Sequence, residues 1–306
     1  MSAEEYEKIF RNIGTGILWG TFSGGEPFLR DDLAEICSSF YSICRPSFIN
    51  IPTNGLLYEK IPPLVEKIAN ICHKSDVIIN VSLDHWQEEH DKIRQVPGNF
   101  EKTLKTYRAL KELALKNLTV GIHTVISGYN VRDFREIYKK LTSLEPDSYI
   151  VEMAEEREEL STKGSDISPS PEDYGEAIYF LLDEINKKKF ARVSRLTQAF
   201  RRVYYELSKD TLYKEKQIIP CYSGIISAQI SPDGHVWPCC VRGDSMGNLR
   251  EDGYDFRKIW AGEKAKTIRD SIKKGDCFCP LANAAYTNIL CDPFSIFRVL
   301  HNFLKS

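Results

Sequence analysis

Short apolar runs alternate with longer amphipathic stretches through the first half of the chain. The apolar runs predict buried strands at residues 17–22, 48–51, 77–82, 118–126 and 149–151. Between them, apolar residues recur at helical spacing in three stretches, 33–40, 100–117 and 131–141. Such alternation of strand and helix is typical of parallel strands joined by right-handed crossovers. The pattern therefore predicts an α/β layer or a partial barrel.

The second half of the chain has a different texture. Residues 161–171 are rich in Ser, Pro and Gly and predict a linker, and residues 171–209 predict a helical stretch. From Cys221 onwards the chain changes to short strands, turns and cysteines. The turn Pro232-Asp233-Gly234 predicts a pairing of the two strands that flank it. We therefore expect three segments: a partial barrel at 1–160, a linker with helices at 161–215, and a cysteine-rich domain at 216–306.

Two further patterns in this half concern the surface. An acidic run with one arginine follows the fifth strand, and we interpret it as a salt-bridged helix surface, with a position facing a pocket as the alternative. The run comprises Glu152, Glu155, Glu156, Arg157, Glu158 and Glu159. The last helix carries an apolar stripe that we expect to dock on the core. The stripe comprises Phe294, Phe297, Leu300 and Leu304.

Composition narrows the functional class. The chain has 306 residues, 42% of them hydrophobic, and a formal net charge of −2, which indicates a globular protein and argues against bulk nucleic-acid binding. No apolar stretch is long enough to span a membrane, and residues 1–10 are too charged for a secretory signal. Nine cysteines, an odd number without a signal, favour reduced thiols in the cytoplasm. Metal ligation or catalysis is therefore expected before disulfides.

The first candidate site lies where the first strand ends. Gly24 and Gly25 remove two side chains at a point where ligands bind in parallel α/β folds. Glu26 adds a carboxylate that can receive an ammonium group, and Pro27 stiffens the turn. A plain strand-to-helix turn is the alternative interpretation. No Gly-Lys-Ser/Thr follows, so the turn is not a P-loop.

Several motifs in order resemble the radical S-adenosylmethionine (radical SAM) superfamily. The residues that carry the resemblance are Phe22-Ser23-Gly24-Gly25-Glu26-Pro27, Thr53-Asn54-Gly55, Val81-Ser82-Leu83-Asp84 and His90-Asp91-Lys92-Ile93-Arg94. The resemblance covers about residues 1–155 and implies that Gly24, Gly25, Glu26 and Pro27 bind the methionyl amine of S-adenosyl-L-methionine. It also implies that Ser82 lies near the ribose or carboxylate of this cofactor and that Arg94 is a candidate carboxylate partner. Asn130 follows the fourth strand, where it either continues the pocket or starts the next helix.

One hallmark of this family is not found in these residues. Family members hold a radical-generating [4Fe-4S] cluster on a C-x-x-x-C-x-x-C loop before the Gly-Gly-Glu-Pro motif, whereas no cysteine precedes Cys37 in this sequence. Cys37, Cys44 and Cys72 are expected to be small core residues. We therefore expect a partial (β/α)6 TIM-type barrel that lacks its first strand, from a truncated gene or gene model or from a non-catalytic descendant. As written, the chain is expected not to generate the radical, and no catalytic residue is assigned.

The late cysteines form the second candidate site. Thiols that converge from separate turns suit an Fe–S cluster or zinc. Cys221, Gly234 and Cys239 resemble the start of the SPASM/twitch extension that follows radical SAM barrels, and the resemblance implies one auxiliary [4Fe-4S] cluster. Its expected ligands are Cys221, Cys239, Cys277 and Cys279. Cys240 or Cys291 is an alternative for one of these four positions, and a zinc staple is the alternative to the cluster.

Together the two resemblances imply a radical SAM Fe–S oxidoreductase or modifying enzyme. In the complete family, SAM is cleaved reductively and the resulting radical abstracts a hydrogen atom from the substrate. The expected partners are a peptide, protein or small-molecule substrate and an electron donor such as flavodoxin or ferredoxin. The alternative is a non-catalytic accessory protein that binds the cluster or the cofactor and presents substrate to a partner enzyme.

Overall fold

The computed structural model describes residues 1–157, 160–162, 164–187 and 192–305. Glu158 and Glu159 of the acidic run lie outside the described residues. The chain divides into two compact units. Unit 1 comprises Met1–Val125, Glu136–Val151 and Gly253–Arg257, and unit 2 comprises Ile126–Arg135, Glu152–Asp252 and Lys258–Ser306. The segment boundaries expected from the sequence stay predictions, because this division describes compact packing rather than family domains.

Five parallel strands form a half-barrel, which confirms the predicted fold class. The strands occur in chain order across the sheet. They are β1 (Trp19–Thr21), β2 (Phe48–Thr53), β3 (Asp76–Ser82), β4 (Leu118–Ile126) and β5 (Ser148–Met153). Each coincides with an apolar run of the sequence, and the predicted bounds of β4 are those observed.

Helices follow or precede each strand of the half-barrel. They are α1 (Ala3–Ile13), α2 (Leu33–Cys44), α3 (Ile61–Ile71), α4 (Glu88–Arg94), α5 (Asn99–Glu112) and α6 (Phe134–Thr142). Helix α1 begins with a capping box in which Ser2 and Glu5 satisfy each other's backbone N–H groups. Short 3₁₀ turns at Pro27–Leu29 and Val131–Asp133 precede α2 and α6.

The two faces of the sheet differ in polarity. Ile49 and Ile51 of β2 belong to the buried apolar core, which also contains helix residues of unit 1. Cys37, Cys44 and Cys72 are buried in the same core, as predicted. Between these isoleucines, Asn50 belongs to the other face of the strand, where Asn80 Nδ2 of β3 donates to Asn50 Oδ1 at 2.8 Å.

Asn80 gives this inner face an unsatisfied acceptor. Its Oδ1 atom is buried and has no hydrogen-bond partner among the described residues. The neighbouring strand leaves room for it, because a Cβ atom at position 121 would lie 2.6 Å from that oxygen, and Gly121 has none. Buried polar groups are normally paired, so this oxygen is an available hydrogen-bond acceptor on the inner face.

Unit 2 combines a small antiparallel sheet with helices. Its helices are α7 (Pro171–Lys187), α8 (Arg192–Lys214), α9 (Phe256–Ala261), α10 (Glu263–Lys274), α11 (Ala282–Cys291) and α12 (Pro293–Lys305). Its strands are β6 (Gln229–Ile230), β7 (His235–Trp237) and β8 (Gly247–Asn248). Strands β6 and β7 pair antiparallel across the Pro-Asp-Gly turn, as predicted. No helix within the described ranges has the length and hydropathy needed to span a membrane.

The prediction for the last helix is wrong. Helix α12 buries Ser295 and Val299, whereas Phe294 is 83% exposed and Phe297 is 71% exposed. Arg195 Nη2 donates to the carbonyl oxygen of Phe303 at 2.7 Å, and Arg298 forms an ion pair with Glu206. Contacts with α8 therefore orient α12. The apolar stripe of Phe294, Phe297, Leu300 and Leu304 is exposed to solvent. Hydrophobic periodicity identifies a helix, but it does not decide which of two apolar faces is covered.

Candidate functional site

The glycine turn after β1 leaves space for a ligand. Gly24 has a φ of 151°, a backbone conformation that L side chains rarely adopt. Apart from its chain neighbours, a Cβ atom on Gly24 or Gly25 would meet no atom of the described residues within 4 Å. The fold therefore does not need Gly25 for packing, and the absent side chains leave this backbone open to a molecule that approaches closely.

Glu26 is held in place by the end of β2. Its Oε1 atom accepts hydrogen bonds from the Thr53 hydroxyl at 3.0 Å and from the Phe28 amide at 3.1 Å. Its Oε2 atom accepts from the Asn54 amide at 2.8 Å. A carboxylate offers about four acceptor positions, so three donors leave capacity for one more. The Gly-Gly-Glu-Pro and Thr-Asn-Gly motifs, which are separate in sequence, thus meet at one carboxylate.

The third motif places Ser82 and Asp84 at the end of β3. Ser82 is the last residue of the strand and shares the inner face with Asn80 by strand alternation. Asp84 Oδ1 accepts from the Val125 amide at 2.9 Å, and Arg94 Nη2 lies 2.6 Å from Asp84 Oδ2. This ion pair places the guanidinium of Arg94 at the same end of the strand.

Arg94 retains an unused donor. Its Nε atom is buried without a hydrogen-bond partner in the described part of the chain. The neighbouring His90 is fully buried, and burial lowers the pKa of its imidazole. The Asp84 amide donates to His90 Nδ1 at 3.1 Å, which stabilises the turn between β3 and α4. The expectation that Arg94 contacts a cofactor carboxylate stays a prediction, because its observed anionic partner is Asp84.

Asn130 lies in unit 2 and serves the local turn. Its Oδ1 atom accepts from the Ser127 amide at 2.8 Å, immediately before the 3₁₀ turn at Val131–Asp133. Asn130 precedes this helical turn, but its side chain makes no capping hydrogen bond to it, so both interpretations of Asn130 stay predictions. The described contacts thus explain its position within the turn.

The four predicted cysteine ligands line one cavity of unit 2. Cys221, Cys239, Cys277 and Cys279 line a common pocket, together with Ser223, Arg242 and apolar side chains. The cavity lining includes neither Cys240, which packs against Leu281 and Ala284, nor Cys291. All nine cysteines of the chain are free thiols. Four soft sulfur donors around one space fit an Fe–S cluster chemically, although their assignment as ligands stays a prediction.

The thiols lie close enough to influence one another's ionisation. Burial raises the pKa of the Cys239, Cys277 and Cys279 thiols, and neighbouring cysteines raise it further. Without a cation these thiols are therefore neutral at neutral pH. A bound metal requires the thiolate form, so metal binding at this cavity releases protons.

The zinc alternative requires four sulfur atoms arranged around a single ion. Four sulfurs on one zinc ion, each at about 2.3 Å, lie about 3.8 Å apart. Within the described residues, no group of three or more His, Cys, Asp or Glu side chains is arranged to hold a metal ion. A second pocket is lined by Cys221, Cys277 and Cys279 and by residues of α8 and α11. Among the described residues the thiols thus line a shared pocket without being preorganised around a metal ion.

The acidic run after β5 is not a salt-bridged helix surface in its described part. Residues 154–157 form no helix, and Glu155 is buried. Burial raises the pKa of its carboxyl group to about 8, so this group is mostly protonated at neutral pH. Arg157 Nη2 lies 3.4 Å from Glu155 Oε2 without a well-aligned hydrogen bond. When it is ionised, Glu155 also raises the pKa of the Cys279 thiol.

Family models match both parts of the chain. The model of the radical SAM superfamily matches residues 1–141. The SPASM model, described as an iron–sulfur cluster-binding domain, matches residues 221–280. The second match begins at Cys221 and ends just after Cys279, and it therefore includes all four cysteines of the cavity.

Curated relatives and solved structures agree with these matches. The chain is 28% identical over 281 residues to an AdoMet-dependent heme synthase of Methanosarcina barkeri, covering 87% of the chain and 74% of the relative. It is 26% identical over 295 residues to the antilisterial bacteriocin subtilosin biosynthesis protein AlbA of Bacillus subtilis, covering 89% of the chain and 58% of that relative.

Among solved structures, anSMEcpe with bound AdoMet and the Cp18Cys peptide has the same fold. The TM-score is 0.60 at 16% identity, covering all of this chain and 89% of the other. Streptococcus suis SuiB bound to the precursor peptide SuiA gives a TM-score of 0.61 at 16% identity, covering 88% of this chain and 60% of the other. The two family matches together indicate a SAM-dependent protein class with an iron–sulfur domain. This chain belongs to the radical SAM superfamily and carries a C-terminal SPASM domain.

Three side chains of interest carried no recognisable signal in the sequence. Arg242 lines the cysteine cavity, Glu155 is buried beside charged groups, and Asn80 has a buried amide oxygen without a hydrogen-bond partner among the described residues. The alternation within β3, in which Asn80 separates two buried aliphatic residues, was the one readable indication of a polar inner face. The other two depend on tertiary packing.

Proposed function

We propose that this chain provides the SAM-binding half-barrel and the auxiliary cluster of a radical SAM/SPASM enzyme that modifies a peptide substrate. The observation that carries the proposal is the cavity lined by Cys221, Cys239, Cys277 and Cys279, which lies within the segment matched by the SPASM model. The peptide class is favoured because AlbA acts in bacteriocin biosynthesis and two structural relatives hold peptides. A protein or small-molecule substrate is the broader alternative, given the heme synthase relative.

The residues around the glycine turn fit SAM. Backbone at Gly24 and Gly25 is open to a ligand, and Glu26 retains an acceptor position for an ammonium group. Ser82 and the unused Nε of Arg94 supply donors for a ribose hydroxyl or a carboxylate. When bound to an open-site [4Fe-4S] cluster, SAM supplies a radical that abstracts hydrogen. The chain's own residues bind and orient the cofactor through its charged methionyl end.

The cysteine cavity fits an auxiliary [4Fe-4S] cluster. Such a cluster would supply electron transfer or a substrate contact, and the four thiols would hold it among largely apolar neighbours. A flavodoxin or ferredoxin is the proposed electron donor. The cytoplasm is the proposed location, and it is supported by the free cysteines, which are typical of a reducing compartment.

A second candidate function rests on one observation about the sequence. The 306 residues contain no C-x-x-x-C-x-x-C motif. An accessory protein that binds SAM or the auxiliary cluster and presents substrate to a partner enzyme needs no such motif. The enzyme and the accessory protein would share the SAM site and the auxiliary cluster site. Expression of the chain together with the flanking sequence of its gene separates them, because only the enzyme would then form 5′-deoxyadenosine from SAM.

The 306-residue chain is expected to bind SAM without cleaving it. The chain is reconstituted anaerobically with iron and sulfide and mixed with SAM and dithionite. It is expected to bind SAM without forming 5′-deoxyadenosine, because these residues contain no C-x-x-x-C-x-x-C loop to hold the [4Fe-4S] cluster that cleaves SAM. Calorimetry measures the binding, and chromatography of the quenched mixture measures the nucleoside. Formation of 5′-deoxyadenosine would overturn this expectation, and absence of SAM binding would overturn the proposed cofactor site.

A further inference from the structure

We propose that Arg242 raises the reduction potential of the auxiliary cluster by donating a hydrogen bond to the sulfur of Cys277. This inference rests on the proposed function, since it concerns the cluster that the four cysteines would hold. It assigns a role to a residue outside the ligand set. It also assigns a direction to the redox chemistry of the site: the cluster becomes easier to reduce and therefore better suited to accept an electron.

The guanidinium group of Arg242 lies within hydrogen-bonding distance of the sulfur of Cys277. Arg242 Nη1 is 3.9 Å from Cys277 Sγ, within the range of a hydrogen bond to sulfur, and both residues line the cavity. The side chain of Arg242 is 21% exposed, so solvent screens its charge only in part. Arginine stays protonated at any physiological pH and donates only, so its contact with a thiolate is a fixed charge-assisted interaction.

Two further contacts fix the orientation of the guanidinium. Arg242 Nη1 also donates to Ser271 Oγ at 3.0 Å, and Ser271 Oγ in turn donates to Asp276 Oδ2 at 2.7 Å. On the opposite side, Arg242 Nη2 lies 2.5 Å from Asp244 Oδ2. Arg242 thus bridges the segment after β7 to helix α10, and Asp244 and Ser271 position the Nη1 donor towards Cys277. This makes Arg242 a positioning residue rather than a ligand.

The direction of the effect follows from charge. Reduction adds one negative charge to a cluster and its thiolates, and a nearby cation with an N–H donor stabilises that form more than the oxidised form. Hydrogen bonds to the sulfurs, net charge and solvent exposure are the factors by which a protein sets such potentials. Asp244 offsets part of the positive charge, and the N–H donor to sulfur acts in the same direction as the charge that remains.

Arg242→Gln tests the inference with a redox readout. We expect the variant to retain iron and sulfide, and to show a reduction potential lowered enough to change the ratio of reduced to oxidised cluster about tenfold at fixed potential, which is about 59 mV for one electron. An anaerobic redox titration followed by electron paramagnetic resonance measures it. Arg242→Lys keeps the positive charge but lacks the planar guanidinium. Its reduction potential is expected to lie between those of the wild type and Arg242→Gln. Arg250→Gln removes the same charge from an exposed position of unit 2 and is expected to match the wild type.

The outcomes separate the two proposals. A wild-type chain that takes up no iron overturns the proposed cluster site and this inference with it. A chain that binds the cluster, with Arg242→Gln and Arg242→Lys both at the wild-type potential, overturns this inference alone. If Arg242→Gln loses its iron, Arg242→Lys carries the test, and a wild-type potential in that variant contradicts the role of the oriented N–H donor.

Discussion

Replacing Cys239 or Cys277 with serine is expected to remove the auxiliary cluster from the reconstituted chain. Each residue contributes one of the four thiols that line the cavity of unit 2. A serine hydroxyl occupies almost the same volume but is a far poorer ligand for iron–sulfur clusters than a thiolate. The visible absorption of the cluster and the bound iron per chain should both fall to near the level of the unreconstituted protein.

Cys291→Ser is the matched control for the cysteine variants. Cys291 is a free, half-buried thiol at the end of α11, and it does not line the cavity of the four cysteines. The control is expected to keep the iron content and absorption of the wild type. If Cys291→Ser loses the cluster while Cys239→Ser retains it, the proposed ligand set is wrong and Cys291 replaces Cys239.

Replacing Gly25 with alanine is expected to weaken SAM binding without lowering the stability of the chain. The position has ample space, since an added Cβ atom meets nothing within 4 Å, and the φ of Gly25 is not positive. A bound cofactor in contact with this backbone would collide with the new methyl group. Calorimetric binding of SAM, together with thermal unfolding of the apo chain, separates the loss of affinity from loss of fold.

Glu26→Gln tests the carboxylate at the same site. The amide keeps an oxygen that accepts a hydrogen bond, but it loses the charge that attracts the methionyl ammonium group. A charge-assisted hydrogen bond contributes about 1.5–3 kcal/mol, which corresponds to about 10- to 100-fold in the dissociation constant. Glu35→Gln is the control, because Glu35 is an exposed carboxylate on α2 in the same unit. Equal affinity of the Glu26 and Glu35 variants would exclude Glu26 from the cofactor site.

The strands and the core were predictable because their signal is local. Runs such as that of β4 are continuous and apolar, and the small cysteines at helical spacing in α2 fit the core without any special partner. The hairpin of β6 and β7 follows from turn chemistry alone. For the candidate sites, motif order indicated which residues to consider, but the sequence alone could not show that Glu26 lies against Thr53 and Asn54.

The remaining features depend on what packs against each element. The stripe of α12 has the same periodicity whether it is covered or exposed, and contacts with α8 decide that Ser295 and Val299 are the buried positions. Acidic residues in a run are usually exposed to solvent, yet Glu155 is buried. Burial raises the pKa of its carboxyl group and so favours the neutral, protonated form. Arg242 follows Cys239 closely in sequence, but its contact with Cys277 bridges a long separation along the chain.

The metal and sulfide content of the wild-type chain tests the central claim most directly. After anaerobic reconstitution and removal of unbound metal, the chain is expected to contain iron and acid-labile sulfide in equal amounts, at the stoichiometry of one [4Fe-4S] cluster. Zinc analysis of the same sample is expected to show none at stoichiometric level. Stoichiometric zinc without iron and sulfide would contradict the account and would make the four cysteines a structural zinc site.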